Sequence, residues 1–592
     1  MNCNSKLILP ILFSALAGCA YEQDTNTSKF PEPSASNTTQ MLYAPEQEQK
    51  HDILADEISA SLAQQAAYDQ VSARALSAEK HAKATHPTPH SYELTSNHAP
   101  TMAPAIPFLD THATYYQDSD REKYASLVQS PVKQVLSEPV STFSIDVDTG
   151  SYTNIRRMLN QGFLPPKDAV RIEEMINYFD YTYDTPNANE APFSIQTELA
   201  LSPWSKEHAL LRVGLKGYEP QSDKRPASNL VFLLDVSGSM NSPDKLPLLK
   251  KSLLLLSKQL RPSDKVAIVV YAGASGVVLE PTEGNQTLKI EQALESLTAG
   301  GSTNGQAGIH LAYQLAKKSY DPTGINRVLL ATDGDFNVGT SNVDSLKELI
   351  KQKREEGISL TTLGFGTGNY NDELLEQLAD VGNGNYAYID GLNEARKVLV
   401  EELDSTLMTI AKDVKVQIEF NPDLVKEYRL LGYENRALAR EDFNNDKVDA
   451  GEIGAGHTVT ALYELVLNGS NGKRIDPLRY QNDLKIEFST QEPTSNELAF
   501  IKFRYKELNE PTSKLLSRAI YLPKDIVAFE QASEDFRFSA TVAEFGEVLR
   551  RSKYISSADY QGMITHALSA KGSDPFGYRS EFIQLLRLAS NL

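Results

Sequence analysis

Between residues 228 and 411 short apolar runs alternate with segments of helical period. Leu230-Val-Phe-Leu-Leu234 is apolar throughout, as a strand buried on both faces of a parallel sheet must be. The run Leu246 to Leu260 follows with a helical period, then the strand Val266 to Tyr271. Helices over Leu288–Leu297 and Gln306–Lys318 precede a second buried strand, Val328 to Ala331. Helix Val343–Glu355, strand Ser359–Phe365, helix Asp372–Ala379, a strand around Tyr386–Ile389 and a closing helix Asn393–Ile410 complete the series. Such βα alternation predicts an α/β domain, a doubly wound parallel sheet covered on both faces.

On either side of this domain the period changes. Phe193–Leu199 and Ala209–Leu215 read as strands, with Trp204 between them. After Lys412 the period is two, in Val414–Phe420, Val459–Leu465, Leu484–Phe488 and Ala499–Tyr505. The two sets are expected to pair with each other, so that the α/β domain is inserted in a β-sandwich. Asp148 to Ser151 reads as a strand end and helix cap before the helix Tyr152–Gln161, and Arg171–Tyr181 as a further helix. Phe538–Arg550 and Arg579–Leu588 supply C-terminal helices expected to pack on the sandwich. The predicted organisation is a signal peptide (1–18), a disordered tether (19–139) and a helical flank (140–185). The first sandwich strands (190–220), the α/β domain (228–411), the rest of the sandwich (412–522) and the C-terminal helices (523–592) follow.

Composition adds three points. With 592 residues, 41% of them hydrophobic, the chain can build several cores. A net charge of −20 argues against a nucleic-acid backbone as partner, because phosphate binding needs a basic face. Lys6, the apolar run Leu7–Phe13 and Leu16-Ala17-Gly18-Cys19 have the three parts of a secretory signal, with an apolar core too short for a permanent span. Cys3 falls inside that signal, so no disulfide is expected in the mature protein. His81, His86, His90 and His98 are irregularly spaced in a Pro- and Thr-rich tract and read as solvated spacer.

The candidate chemistry lies where strands end. Asp235, Ser237 and Ser239 follow the first buried strand, and ligands of open α/β sheets bind beyond the carboxyl ends of the strands. These residues offer oxygen alone, which suits a hard cation. Gly300-Gly301-Ser302-Thr303 opens a helix with another hydroxyl, and Thr332-Asp333-Gly334 ends the second buried strand with another carboxylate. Three enzyme readings fail on particular positions. An aspartyl-phosphate phosphatase needs an acid where Ser237 stands, and a serine-hydrolase elbow needs glycine where Asp235 stands. Asp148-Thr149-Gly150 has no matching second copy for an aspartic protease. Asp442 to Asp446 begins like a calcium loop, but Lys447 and Ile453 occupy its glycine and glutamate positions. It reads as a structural turn, with weak calcium binding the other reading.

Asp-x-Ser-x-Ser, then a threonine, then Thr-Asp-Gly resembles the metal-ion-dependent adhesion site of the von Willebrand factor A (VWA) domain. That resemblance implies direct ligation of Mg²⁺ (or Mn²⁺ or Ca²⁺) by Ser237, Ser239 and Thr303. Asp235 and Asp333 would act through waters, and one position would stay open for a carboxylate from a protein partner. Leu-Ala-Gly-Cys resembles the bacterial lipobox, which implies acylation of Cys19. With Ala20 after it, this implies the outer membrane of a Gram-negative cell, with membrane contact through the lipid alone. With Phe143–Tyr181 and Glu441–Leu465 as flanks, the ordered chain resembles bacterial lipoproteins that carry a central VWA domain. The expected function is non-enzymatic, cation-dependent protein binding at the envelope. A constitutive scaffold with a structural metal and a metal-dependent hydrolase are the alternatives.

Overall fold

A computed structural model describes residues 122–186, 191–219, 225–273, 275–302, 305–334, 343–476, 496–508 and 510–592. Cys19, Thr303 and the expected strand Leu484–Phe488 lie outside the described residues. Among the described residues no helix is long and apolar enough to cross a membrane.

The α/β domain is built on a six-stranded sheet. Its order is Tyr386–Ile389, Ser359–Phe365, Ile325–Thr332, Ser228–Asp235, Lys265–Tyr271 and Ser275–Glu283. The first five strands are parallel, and the sixth runs antiparallel along Lys265–Tyr271. The apolar pattern does not announce that sixth strand. Gly276 and Pro281 interrupt it, and an edge strand is constrained by one neighbour only. Ser228–Asp235 is buried at every position because its side chains alternate between two apolar layers. Leu230, Phe232 and Leu234 meet Leu249, Leu253 and Leu256 of the helix Leu246–Ser257. Val231 and Leu233 meet Ile309, Ala312 and Tyr313 of the helix Gly305–Lys318. His310 lies on the exposed side of that second helix.

The closing helix is not continuous. Leu392–Arg396 is α-helical, Lys397–Glu401 forms a π turn, Leu403–Leu407 is α-helical again, and a strand begins at Thr409. The π turn sets the buried Lys397 ammonium 4.6 Å from the Tyr178 ring centre and onto the Glu402 carboxylate. A helical period read from sequence does not register such an insertion.

Two sheets form the sandwich. One runs Lys133–Gln134, Val425–Leu431, Thr458–Leu467, Ala209–Gly217, Phe193–Leu201. The other runs Ile453–Gly454, Thr409–Phe420, Glu497–Lys506, Lys514–Tyr521, with Val140–Ser144 added alongside Thr409–Phe420. Ala209–Lys216 pairs antiparallel with Leu465–Thr458, so strands from before and after the α/β domain share one sheet. The domain is therefore an insertion. Leu211, Val213 and Leu215 face Val416, Ile418 and Phe503 in the sandwich core. Their neighbours Ala200, Leu210, Leu431 and Leu462 point the other way, into a layer of five helices. Those helices are Gly150–Asn160, Ile172–Asn177, Glu534–Leu549, Tyr560–Ser569 and Tyr578–Ala589. The first sheet is thus covered on both faces, and N- and C-terminal helices share one core.

Several expectations need correction. Residues 122–139, assigned to the tether, belong to the folded body. Glu122 and Val135 are 4% and 1% exposed, and Lys133–Gln134 pairs with Glu427–Tyr428. A short edge pairing draws on backbone groups and needs no apolar period. Asp148 does not cap the following helix, which has Thr149 at its N-terminus without a side-chain cap bond. Asp148 instead accepts the Tyr386 backbone N–H at 2.8 Å. The helix expected over Arg171–Tyr181 spans Ile172–Asn177. Strands Val425–Leu431 and Lys514–Tyr521 and helix Tyr560–Ser569 lack a clean period and were not anticipated. The Asp442–Asp446 segment is a turn. Asp442 to Asn444 close the short helix Arg440–Asn444, the chain turns at Asp446, and the Ser513 hydroxyl, just before strand Lys514–Tyr521, donates to Asp446 at 2.5 Å.

Candidate metal centre

Three loops at the carboxyl edge of the sheet come together because backbone bonds stitch them. Gly238 N–H donates to the Gly301 carbonyl at 3.1 Å, and Gly300 N–H donates to the Val236 carbonyl at 2.8 Å. The glycine-rich loop is thereby laid along the loop that follows Asp235. On the other side Thr332 donates its hydroxyl to Asp235 Oδ2 at 3.0 Å. Tyr271, ending the neighbouring strand, donates to the same oxygen at 3.2 Å, and Ser237 N–H donates to Asp235 Oδ1 at 2.8 Å. Asp235 is fully buried, and burial pushes its carboxyl up to about 6 against the Ser237 hydrogen bonds, with Asp333 adding to the rise. Both its oxygens are already held by protein donors, so its part in a site is to orient and to supply charge.

Ser237 is buried and Ser239 exposed, and their hydroxyl oxygens are 3.0 Å apart. Adjacent ligands of an octahedral ion bound at 2.0–2.1 Å stand about 3 Å apart, so the pair has the spacing of two neighbouring ligands. Asp333 is fully buried and accepts the Lys245 ammonium at Oδ2, 2.9 Å away. Asp235, Ser237, Ser239 and Asp333 are brought to one place, and Thr303 lies outside the described residues one position beyond Ser302. No cluster of three His, Cys, Asp or Glu suited to a metal occurs among the described residues. This site has two carboxylates and relies on hydroxyls for the rest. An oxygen-only set of this kind fits a hard divalent cation.

Sequence reasoning missed Lys245 and Tyr271. Tyr271 could have been found as the residue that ends the strand beside Asp235. Lys245 carried no local signal, since its partner is 88 residues away.

The site abuts a charged seam between the α/β domain and the flanking helices. Gly334, next to Asp333, has φ +89°, and a Cβ there would stand 2.3 Å from the Asn371 nitrogen. Only glycine allows that approach. Asn371 caps the helix Asp372–Val381, and Asp372 accepts Arg171 at 2.6 Å and 3.2 Å. Arg171 also holds Glu174, and Arg436 bridges Asp146, Asp148 and Asp380. Arg156 grips Asp390, Glu394 and Glu581 at 2.6–2.9 Å. At the start of the described chain Lys123 N–H donates to the Tyr370 carbonyl at 2.9 Å, and Glu122 accepts Arg157 at 2.9 Å.

A model of the von Willebrand factor type A domain matches residues 229–401, and a von Willebrand factor model matches 118–212. A third, described as "Uncharacterized protein YfbK, C-terminal", matches 405–592. "Uncharacterized protein YfbK" of Escherichia coli (strain K12) is 48% identical over 500 residues, covering 83% of this chain and 85% of that protein. The chain belongs to the von Willebrand factor A family. Its VWA domain is of a kind that typically mediates protein interactions and often holds a divalent metal. Human inter-alpha-trypsin inhibitor heavy chain H3 is 24% identical over 269 residues, 42% of this chain and 29% of that protein. Among solved structures, von Willebrand factor type A from Catenulispora acidiphila has a TM-score of 0.37 at 15% identity, covering 69% of this chain and 92% of that one. The ArnB paralog VWA2 from Sulfolobus acidocaldarius has 0.33 at 14%, covering 68% and 98%.

Proposed function

We propose that this VWA protein is a lipid-anchored, divalent-cation-dependent binding module of a Gram-negative outer membrane, and not an enzyme. The observation that carries the reading is the convergence of Ser237, Ser239, Asp235 and Asp333 on one oxygen-only site. Ser237, Ser239 and Thr303 would hold Mg²⁺ directly, with Asp235 and Asp333 behind waters. When bound, the cation supplies a Lewis-acidic position that accepts a carboxylate from a protein partner. The chain's own residues do the rest. Tyr271 and Thr332 fix Asp235, Ser237 N–H orients it, and the Gly300–Gly301 backbone sets the loop that leads to Thr303. Support for the anchor is Leu16-Ala17-Gly18-Cys19.

Capture of partners from envelope extracts, with and without chelator, tests the binding reading. Partner recovery is expected to vanish with chelator and in Thr303→Ala, while the fold is retained. Normal recovery by Thr303→Ala in Mg²⁺ excludes the mechanism. A scaffold with a structural metal would lose stability on chelation and keep its partner. Cys19→Ala is expected to release the protein from membranes or to leave an unprocessed precursor. Retention of this variant after a high-salt wash overturns the anchor.

A further inference from the structure

Lys245 stands among the metal-site loops without being one of the oxygen donors. Its side chain is 8% exposed, and its ammonium donates to Asp333 Oδ2 at 2.9 Å. The stem is fixed as well as the head. Gly366 has φ +71°, and a Cβ there would lie 2.3 Å from Lys245 Cγ and 2.4 Å from Cε. The absence of a side chain at Gly366 thus leaves the channel in which the lysine runs. The next residue after Lys245 begins the helix Leu246–Ser257, whose apolar face is anchored in the sheet core, so the backbone cannot carry the ammonium away.

We propose that Lys245 is a specificity-determining residue of this site. Its fixed ammonium weakens the loops' hold on a divalent cation alone and makes cation binding depend on an anionic group from the partner. The inference rests on the metal-site reading above. Asp235 and Asp333 formally bring two negative charges, and Lys245 removes one of them. A divalent cation among these loops therefore leaves one net positive charge, which a partner carboxylate neutralises. Without Lys245 the two aspartates would balance the cation by themselves. Charges a few ångströms apart in a partly buried site interact by several RT, enough to set the order of affinities.

The test is Mn²⁺ binding by the full-length protein, followed by electron paramagnetic resonance, with and without saturating acetate as the carboxylate probe. Lys245→Met is expected to bind Mn²⁺ at least about tenfold more tightly than wild type when acetate is absent. Acetate is expected to tighten wild-type binding by a few-fold and to leave Lys245→Met unchanged. Lys245→Arg, which keeps the charge, is expected to stay near wild type. Should Lys245→Met misfold, Lys245→Gln keeps the stem and a donor for Asp333 and is read the same way. Equal or weaker Mn²⁺ binding by the uncharged variant overturns the inference, and so does a gain in Lys245→Arg as large as in Lys245→Met. If wild type and Ser239→Ala both fail to bind Mn²⁺, the metal-site reading itself falls, a result distinct from the other two.

Discussion

Asp372 at the Arg171 seam and Asp235 at the metal-site loops are both buried carboxylates, but they keep different company. Asp372 takes two guanidinium nitrogens, Glu174 takes the same arginine, and Asp146 and Asp148 share Arg436. Asp235 takes a backbone N–H and two hydroxyls, all neutral, and Asp333 accepts the Lys245 ammonium. Full ion pairing consumes the charge it satisfies. A buried pair is held in place because losing either member strands the other. Neutral donors orient a carboxylate and leave its charge to act on something else. The seam therefore suits joining domains, and the loops suit presenting charge to a ligand. The two meet at Gly334 and Asn371, where the backbones of site and seam leave no room for a Cβ at position 334.

The largest effect is expected from breaking the seam. Arg171→Ala leaves Glu174 and Asp372 buried without their cation, which costs about 3–5 kcal/mol. Denaturant unfolding measures it. A loss below about 1 kcal/mol, the range of surface pairs, would mean that the seam contributes nothing special.

Glu544 sharpens the comparison, because it is buried in the helical layer with one oxygen lacking a partner among the described residues and with Asp559 as its charged neighbour. Burial, with Asp559 adding, pushes its carboxyl from 4.5 up to about 8. The folded state then binds a proton that the unfolded chain has released. Stability from this group is complete below about 4.5, falls as pH rises, and is exhausted above about 8. Glu544→Gln should flatten that decline and be more stable than wild type at pH 8, by on the order of 2–3 kcal/mol. Urea titrations across this window decide, and parallel curves for the two proteins would sink the idea.

The smallest stability change belongs to the loops. Ser239→Ala removes an exposed hydroxyl whose partner is Ser237, so unfolding in chelator should shift by no more than about 0.5 kcal/mol. Mn²⁺ affinity should nevertheless fall about tenfold or more, because a rigid octahedral ion loses a direct ligand. An unchanged affinity would place the ion elsewhere.

The inserted α/β domain was legible because its signals are local. A buried strand such as Leu230–Leu234 must be apolar at every position, and the helices around it must be apolar every third or fourth residue. The donors Asp235, Ser237, Ser239 and Asp333 could be named for the same reason, since Asp235 ends one buried strand, Asp333 follows another, and the two serines lie within four residues of Asp235. Edge elements were not legible. Lys133–Gln134 and Ser275–Glu283 are held by backbone bonds to a single neighbour, which leaves little mark on side-chain choice.

Sequence by itself determined the alternation of elements, the two-residue period of the sandwich strands and the oxygen-only character of the site. Tertiary structure alone decided which charges meet. Arg171 finds Asp372 across 201 residues, and Lys245 finds Asp333 across 88. Apolar periodicity is written in neighbours along the chain because it answers to one face of one element. An ion pair answers to a point in space, and nothing in the spacing of Arg171 or Lys245 along the chain specifies that point.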